Sequence, residues 1–171
     1  MKSLYSTACF AILSSVFLMV QQPAMASEKE LETRAVTLAR EQQAGGYKLM
    51  TVEELQKAID AHQNMLIVDT MPYEDSYKKN HIPGAVQFLF PVALMEQWKS
   101  SETANRSEAD FAALLGSDKD KTIVFYCGFV KCTRSHNAAL WAKKLGYKDV
   151  YRLPGGIMAW KDAGYAVKSV D

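Results

Sequence analysis

The sequence predicts a single α/β domain in which helices cover both faces of a mostly parallel sheet. Its length of 171 residues fits one domain with a sizeable core. Three segments are continuous apolar runs of strand length, at residues 65–70, 122–126 and 149–153. Uninterrupted apolar strands are typical of parallel sheets buried on both faces. Helix-compatible segments separate these runs, and this alternation is the pattern of an α/β fold.

The first part of the domain is predicted to follow an additional N-terminal helix. Residues 27–43 are charged and compatible with a helix, which the glycine pair of "AGGY" ends. Residues 48–50 are a candidate short strand. Thr51 and Glu54 form a capping box that opens the next helix, and the buried strand at 65–70 follows it.

Short elements and turns are expected after that strand. Pro72 starts a helical turn that ends at Tyr77, and Asn80 is expected to adopt the left-handed conformation. A short strand is expected near Val86, and residues 91–98 are compatible with a helix.

The second half of the chain continues the alternation of strands and helices. Ser107 and Asp110 form another capping box, for a helix that ends at Gly116. The strand at 122–126 leads through a cysteine-bearing loop into a helix at about 135–145. A further strand and a glycine turn then open the last helix.

Residues 1–26 have the features of a secretory signal peptide. Lys2 is followed by an uncharged, mostly apolar run over residues 4–20, and the small residues Ala24 and Ala26 form a cleavage site. We expect cleavage after Ala26 and export, in a bacterium to the periplasm. The alternative is an uncleaved membrane anchor, because the apolar run is long for a signal core. Interruptions by Ser, Thr and Gln and the small-residue cleavage site favour the signal peptide.

The charge balance argues against nucleic acid as the main partner. The segment removed contains one of the 20 Lys and Arg residues and none of the 19 Asp and Glu residues, so the mature chain has no net charge. Phosphate binding needs a concentrated cationic face, which the sequence lacks. We also expect no membrane partner once the signal is removed. Of three cysteines, Cys9 is lost with the signal, and Cys127 and Cys132 remain.

The stretch "VFYCGFVKCTRSHNAALWAKKLG" places Cys127 directly after a buried strand and before a helix. In parallel α/β sheets the reactive crevice lies beyond the carboxyl ends of the strands. A helix N-terminus, the charges of Lys131 and Arg134 and successive loop N–H groups all favour an anion there. We therefore expect a thiolate at Cys127, with Ser135 as a candidate helix cap.

Two other interpretations of the cysteines remain open at this stage. Cys127, Cys132 and His136 have the types of side chain that bind zinc, and His81 is a candidate fourth ligand, but no second ligand pair lies near. We expect no metal and no other cofactor. A cysteine after a strand can also be a small buried apolar residue without chemistry.

Three segments of the sequence resemble the rhodanese-like family of sulfurtransferases over about residues 51–167. They are "LIVDTMPYEDSYKKNHIPGA", "VFYC…TRSHNAA" and "GYKDVYRLPGGIMAW". The resemblance implies a five-stranded parallel sheet with helices on both faces. It divides the chain into a signal peptide at 1–26, a helical extension at 27–47 and a rhodanese-like domain at 48–171.

The resemblance also implies the roles of the site residues. Cys127 matches the cysteine that carries a sulfane sulfur as a persulfide, and Asp69 matches the aspartate near the site. Gly155 and Gly156 form the turn that borders it. The remaining loop residues match the family's anion-binding cradle: Gly128, Phe129, Val130, Lys131, Cys132, Thr133, Arg134 and Ser135.

The sequence departs from the family pattern in two ways. The loop from Cys127 to Arg134 has eight residues instead of six, so loop length does not indicate the substrate. Met71 stands where the family often has an arginine. Cys132 lies in the lengthened loop, where it is a candidate resolving thiol.

The resulting hypothesis is transfer of a sulfane sulfur through a Cys127 persulfide. The expected partners are a small sulfur-containing donor and a thiol or cyanide-like acceptor, which could be the thiol of a partner protein. The alternative is an exported thiol redox or oxyanion-reducing protein that cycles a Cys127–Cys132 disulfide. A phosphatase and a binding module without catalysis are weaker alternatives.

Overall fold

A computed structural model describes residues 26–170 of the chain. The predicted signal peptide therefore lies almost wholly outside the described residues. Within residues 26–170, no helix is both long enough and apolar enough to span a membrane.

Five strands form one sheet, and every pair of neighbouring strands is parallel. The strand order is β1-β5-β4-β2-β3. The strands are β1 (Lys48–Leu49), β2 (Met65–Asp69), β3 (Val86–Gln87), β4 (Thr122–Tyr126) and β5 (Val150–Leu153). The predicted α/β class and five-stranded sheet are confirmed, and the sheet is parallel throughout.

Helices pack on both faces of this sheet. They are α1 (Glu28–Gly45), α2 (Val52–Asp60), α3 (Glu108–Leu115), α4 (Arg134–Lys144) and α5 (Gly156–Asp162). A short π-helical turn (Tyr73–Tyr77) and a 3-10 turn (Ser100–Glu102) lie in the connections. Both predicted capping boxes are present, at Thr51 and Ser107, and a third at Ser27 opens α1.

Alternate residues of β4 enter two separate apolar cores, as expected of a strand buried on both faces. Ile123 and Phe125 pack in the core that includes α3 and α4, whereas Val124 and Tyr126 pack in the core that includes α2 and α5. Trp160 of α5 is buried in the second core. This double burial explains why β4 appears in the sequence as a continuous apolar run.

Two of the sequence-based predictions for local structure are wrong. Residues 91–98 form no helix, because the side chain of Asn137 on α4 bonds Pro91 O, Ala93 O and Met95 N. These bonds hold the segment in an irregular path. Asn80 is not left-handed: its N–H closes the π-helical turn on Ser76 O, and the chain then continues into a bridge with Lys168.

Candidate active site

Three parallel strands end together at the edge of the sheet where the cysteine loop begins. Asp69, Tyr126 and Leu153 are aligned across β2, β4 and β5. Cys127 directly follows Tyr126, and the turn into α5 directly follows Leu153. The sheet register therefore brings Asp69, the cysteine loop and the glycine turn to one edge, as the sequence predicts.

The start of α5 lies directly against the first residues of the cysteine loop. Ile157 N donates to Cys127 O at 2.9 Å, and Met158 N donates to Gly128 O at 3.0 Å. Gly156 has a φ of 58°, and a Cβ added there would lie 2.1 Å from Cys127 O. Only glycine permits this approach. The backbone of Cys127 is thus fixed by α5 as well as by β4.

Cys127 is fully buried, with a relative exposure of 0%. Its Sγ donates to Cys132 O at 3.0 Å and lies 3.2 Å from Ser135 Oγ. Burial and the hydrogen bond with Cys132 raise the pKa of the Cys127 thiol well above its ordinary value, and the contacts with Ser135 only partly oppose this effect. Cys127 is therefore a protonated thiol at neutral pH.

Cys132 differs from Cys127 in the direction of its pKa shift. The hydrogen bond from the Cys127 thiol is the largest factor that lowers its pKa to about 6, against the opposing effect of burial. The N–H groups of Gly128 and Arg134 and the charge of Arg134 lower the pKa further. Its relative exposure of 7% is small but exceeds that of Cys127. These contacts favour the thiolate at Cys132, whereas the sequence predicts it at Cys127.

The basic side chains of the loop do not make the anion-binding contacts that the sequence predicts. The Arg134 guanidinium donates to Phe90 O, and Thr133 Oγ1 donates to Val92 O, so both side chains tie the loop to the irregular segment. Lys131 is exposed. Ser135 does not cap α4, since the cap position is Thr133 and has no side-chain hydrogen bond to the helix. Ser135 is instead buried beside Cys127.

Two cavities lie on the outer side of the loop, with volumes of about 250 and 520 Å³. Arg34 of α1, Val130 and Lys131 line both of them, and Phe129 and Met158 line the larger. The additional helix therefore forms one wall of the space in front of the cysteine loop.

Asp69 does not contact the amides of the cysteine loop. Its Oδ1 accepts from Met71 N at 2.8 Å, which is a turn contact at the strand end. Among the described residues its Oδ2 is buried without a hydrogen-bond partner. Burial raises the pKa of the carboxyl to about 6, although the Met71 bond opposes the shift. Met71 extends to the loop, where its thioether is the nearest side chain to Gly128.

A buried arginine that the sequence analysis did not single out lies beneath the loop. Arg152 of β5 has a relative exposure of 0%. Its Nε donates to Ser135 Oγ at 3.0 Å and its Nη2 donates to Cys132 O at 3.1 Å. Its Nη1 forms an ion pair with Glu41 of α1 and donates to Tyr47 Oη at 3.3 Å. One cation thus joins α1, the cysteine loop and the start of α4.

His136 belongs to this network and faces away from the sulfurs. Its Nδ1 lies 2.9 Å from Tyr47 Oη. The same hydroxyl accepts from Arg152 Nη1. Burial lowers the pKa of His136, in agreement with a neutral ring. His81 Nδ1 donates to Tyr77 O at 2.9 Å and the ring stacks on the Tyr77 ring, as a turn residue would. Within residues 26–170 no three His, Cys, Asp or Glu side chains form a group that could hold a metal ion.

The sequence matches the model of one protein family. The family model described as the rhodanese-like domain matches residues 51–163. This chain belongs to the rhodanese-like family. In this rhodanese-like domain α1 precedes the matched residues, so Glu41 lies outside the family model, whereas Arg152 and both cysteines lie within it.

Two curated relatives contain the same domain at low identity. The chloroplastic rhodanese-like domain-containing protein 14 of Arabidopsis thaliana is 28% identical over 147 residues, which cover 70% of this chain and 64% of the relative. A tRNA uridine(34) hydroxylase of Sodalis glossinidius is 28% identical over 112 residues, which cover 65% of this chain and 27% of the relative. The chain therefore spans less than two thirds of the length of either relative.

Solved structures share the rhodanese-like fold. A thiosulfate sulfurtransferase from Pseudomonas aeruginosa superimposes with a TM-score of 0.59 at 20% identity, covering 81% of this chain and 23% of that one. The BH2092 protein from Bacillus halodurans has a TM-score of 0.55 at 22% identity, covering 81% of this chain and 87% of that one. At these identities the likeness establishes the fold alone.

Proposed function

We propose that this rhodanese-like protein is a sulfurtransferase that carries a sulfane sulfur as a persulfide on its cysteine pair. The observation that carries the proposal is the placement of two free cysteines in one loop after β4, where the Cys127 thiol donates to Cys132 O. Both are buried, but burial raises the pKa of Cys127, whereas the hydrogen bond with Cys127 and the N–H groups of Gly128 and Arg134 lower the pKa of Cys132. Only a thiolate attacks a sulfane sulfur efficiently, and only a stabilised sulfur anion leaves readily.

The contacts favour Cys132 as the thiol that meets the donor. Its thiolate attacks the outer sulfur of the donor, the sulfur–sulfur bond of the donor breaks, and the electron pair leaves with the remainder of the donor. The product is a Cys132 persulfide, whose terminal sulfur carries the negative charge. This order reverses the hypothesis from the sequence, in which Cys127 carries the persulfide and Cys132 resolves it.

The sulfur then leaves by one of two routes. A thiolate acceptor attacks the terminal sulfur, takes it as its own persulfide and returns Cys132 as a thiolate. Without an acceptor, Cys127 attacks the inner sulfur and its proton leaves with the departing sulfide, which forms a Cys127–Cys132 disulfide and releases hydrosulfide. An external thiol must then reduce the disulfide.

The proposed partners are a small sulfane-sulfur donor and a thiol or cyanide-like acceptor, with the thiol of a protein as one form of the acceptor. A thiosulfate donor is supported by the fold shared with a thiosulfate sulfurtransferase. We propose action in an exported compartment, the bacterial periplasm, because of the signal-like residues 1–26.

One observation also supports the redox alternative. Two free cysteines lie in one loop, where the Cys127 thiol donates to the main-chain carbonyl of Cys132. The reduction potential of the pair separates the two functions. A potential far below that of the compartment makes the bond structural, whereas a potential near it supports redox cycling.

Intact-mass spectrometry tests sulfur transfer itself. After treatment with inorganic polysulfide or thiosulfate, we expect the wild type to gain one sulfur atom and to lose it again on addition of an acceptor thiol. The Cys127→Ser/Cys132→Ser double variant provides the control and should gain none. A wild type that forms neither a one-sulfur adduct nor the Cys127–Cys132 disulfide with either donor contradicts the proposal.

A further inference from the structure

Arg152 is a full positive charge buried in the protein, and its surroundings show how it is held there. A buried charge is tolerated only when it is paired and its donors are satisfied. Arg152 uses all three guanidinium nitrogens in hydrogen bonds, to Glu41, Tyr47, Ser135 and Cys132. Of these partners only Glu41 carries a compensating charge. Its side chain is 18% exposed, so the pair is largely shielded from solvent.

Arg152 fixes both polar groups that flank the sulfur of Cys127. Ser135 Oγ accepts from Arg152 Nε, so the hydroxyl proton is free to point toward Cys127 Sγ at 3.2 Å. The carbonyl of Cys132 accepts from Arg152 Nη2 and from the Cys127 thiol. The position of the guanidinium therefore determines where the loop carbonyl and the serine hydroxyl meet the buried thiol.

The position of the guanidinium depends in turn on α1. Glu41 lies on this helix, whereas Ser135, Cys132 and Arg152 all lie within the residues matched by the family model. Arginine donors form a rigid planar fork, so a carboxylate held on one edge orients the other two nitrogens. Tyr47, directly after α1, supports the same edge.

We infer that α1 completes the active centre, and that Glu41 is a positioning residue which acts on the cysteine pair through Arg152. Only the rate measurement that tests this inference depends on the proposed function. Glu41 itself touches neither sulfur. Its role is to keep Arg152 aligned, and Arg152 keeps the loop closed over Cys127 with Cys132 on the outer side.

The test compares Glu41→Gln with Glu32→Gln in the full chain. Glu32 is an exposed residue of the same helix, so the control has the same change of charge. We measure single-turnover persulfide formation with inorganic polysulfide. Glu41→Gln should lower the saturating rate constant about tenfold, because one charge-assisted hydrogen bond is lost. The polysulfide concentration at half-maximal rate should stay unchanged. Partial unfolding lowers the amount of protein that reacts and leaves the rate constant unchanged, so it is distinguished from loss of positioning.

A second measurement does not depend on sulfur transfer. Iodoacetamide labelling of the reduced proteins, followed by peptide mapping, reports which cysteine is accessible. We expect the label on Cys132 in the wild type and in Glu32→Gln, and a several-fold increase of label on Cys127 in Glu41→Gln, because the loop is released. If persulfide forms in no protein while this shift is observed, the proposed function fails and the positioning role stands.

Arg152→Lys shows whether Glu41 acts through Arg152. Lysine keeps the charge but has no fork that reaches Glu41, Ser135 and Cys132 at once. The Arg152→Lys variant should form the persulfide about tenfold more slowly than the wild type, because it too loses one charge-assisted hydrogen bond. Adding Glu41→Gln to this variant should lower the rate constant no further. Multiplied effects in the double variant overturn the inference. The inference is also overturned if the rate constant of Glu41→Gln is within twofold of the wild type and the labelling pattern is unchanged. If Arg152→Lys does not fold, this result for Glu41→Gln alone decides the test.

Discussion

Cys127 and Cys132 carry the same chemical group five positions apart, and the fold shifts their pKa values in opposite directions. Cys127 is placed at the end of a buried strand, where desolvation keeps its proton in place. Cys132 receives that thiol's hydrogen bond and the loop N–H groups, and its pKa falls to about 6. A thiolate is therefore available at neutral pH without a separate general base.

Burial has the same effect on the Asp69 carboxyl as on the Cys127 thiol. One oxygen has a backbone donor and the other has none among the described residues, and burial raises the pKa of the carboxyl to about 6. The folded protein thus binds this proton more tightly than the unfolded chain does. Ionisation of Asp69 therefore lowers the free energy of unfolding as the pH rises from the unfolded pKa of 3.8 to about 6, and its effect is constant above that pH.

The Asp69→Asn variant tests this balance. Asparagine accepts the Met71 bond but cannot ionise, so the variant should gain stability relative to the wild type as the pH rises from 4 to 8. The upper bound on the gain is about 3 kcal/mol, from a shift of about two pH units. Thermal unfolding at several pH values measures it, with the exposed Asp75→Asn as control. A difference between Asp69→Asn and wild type that is independent of pH contradicts the raised pKa.

At the scale of single residues, the sequence predicts where reactive groups stand better than what state they are in. The register of the strands follows from the apolar runs, so the location of Cys127 could be predicted. The ionisation order could not, because it depends on which way the loop amides of Gly128 and Arg134 point. Arg152 could have been noticed in the sequence, because a charged side chain between the apolar residues of the strand segment "DVYRL" implies a buried partner. Its partner Glu41 is 111 positions away and gives no local signal.

At the scale of elements, local hydrogen bonding determines which predictions succeed. The capping boxes at Thr51 and Ser107 could be predicted because both partners lie within four residues. Residues 91–98 have a helix-compatible composition, but their backbone groups are bonded by side chains of α4 from more than forty positions away. Tertiary bonds of this kind override local propensity.

Asn137 is accordingly expected to be the residue that keeps this segment irregular. It is fully buried and makes three hydrogen bonds to the segment. In Asn137→Leu the buried Met95 N–H and the two carbonyls lose their partner, so the free energy of unfolding should fall by about 3 kcal/mol. Urea unfolding measures the change.

The exposed loop residue Asn64 provides the matched control. Asn64→Leu should leave stability within about 0.5 kcal/mol of the wild type. An Asn137→Leu midpoint equal to that of the wild type would show that the segment is held by other contacts, such as those of Thr133 and Arg134.

At the scale of the whole molecule, the parallel sheet determines where the site lies, and the additional helix α1 packs against the cysteine loop. The α/β class could be predicted from the alternation of apolar runs and helices, since this pattern leaves few alternatives. The contact of α1 with the cysteine loop could not, because α1 has a weakly amphipathic, charged sequence that gives no indication of its partner. The family resemblance gave no information about it either, since it begins after α1.

The most direct measurement of the central claim is the intact mass of each single-cysteine variant after treatment with inorganic polysulfide near pH 7. The account predicts that Cys127→Ser gains one sulfur atom and that Cys132→Ser gains none, with the wild type also forming the disulfide when no acceptor is present. A one-sulfur adduct that survives in Cys132→Ser and is lost in Cys127→Ser would contradict the assignment of the entering thiol.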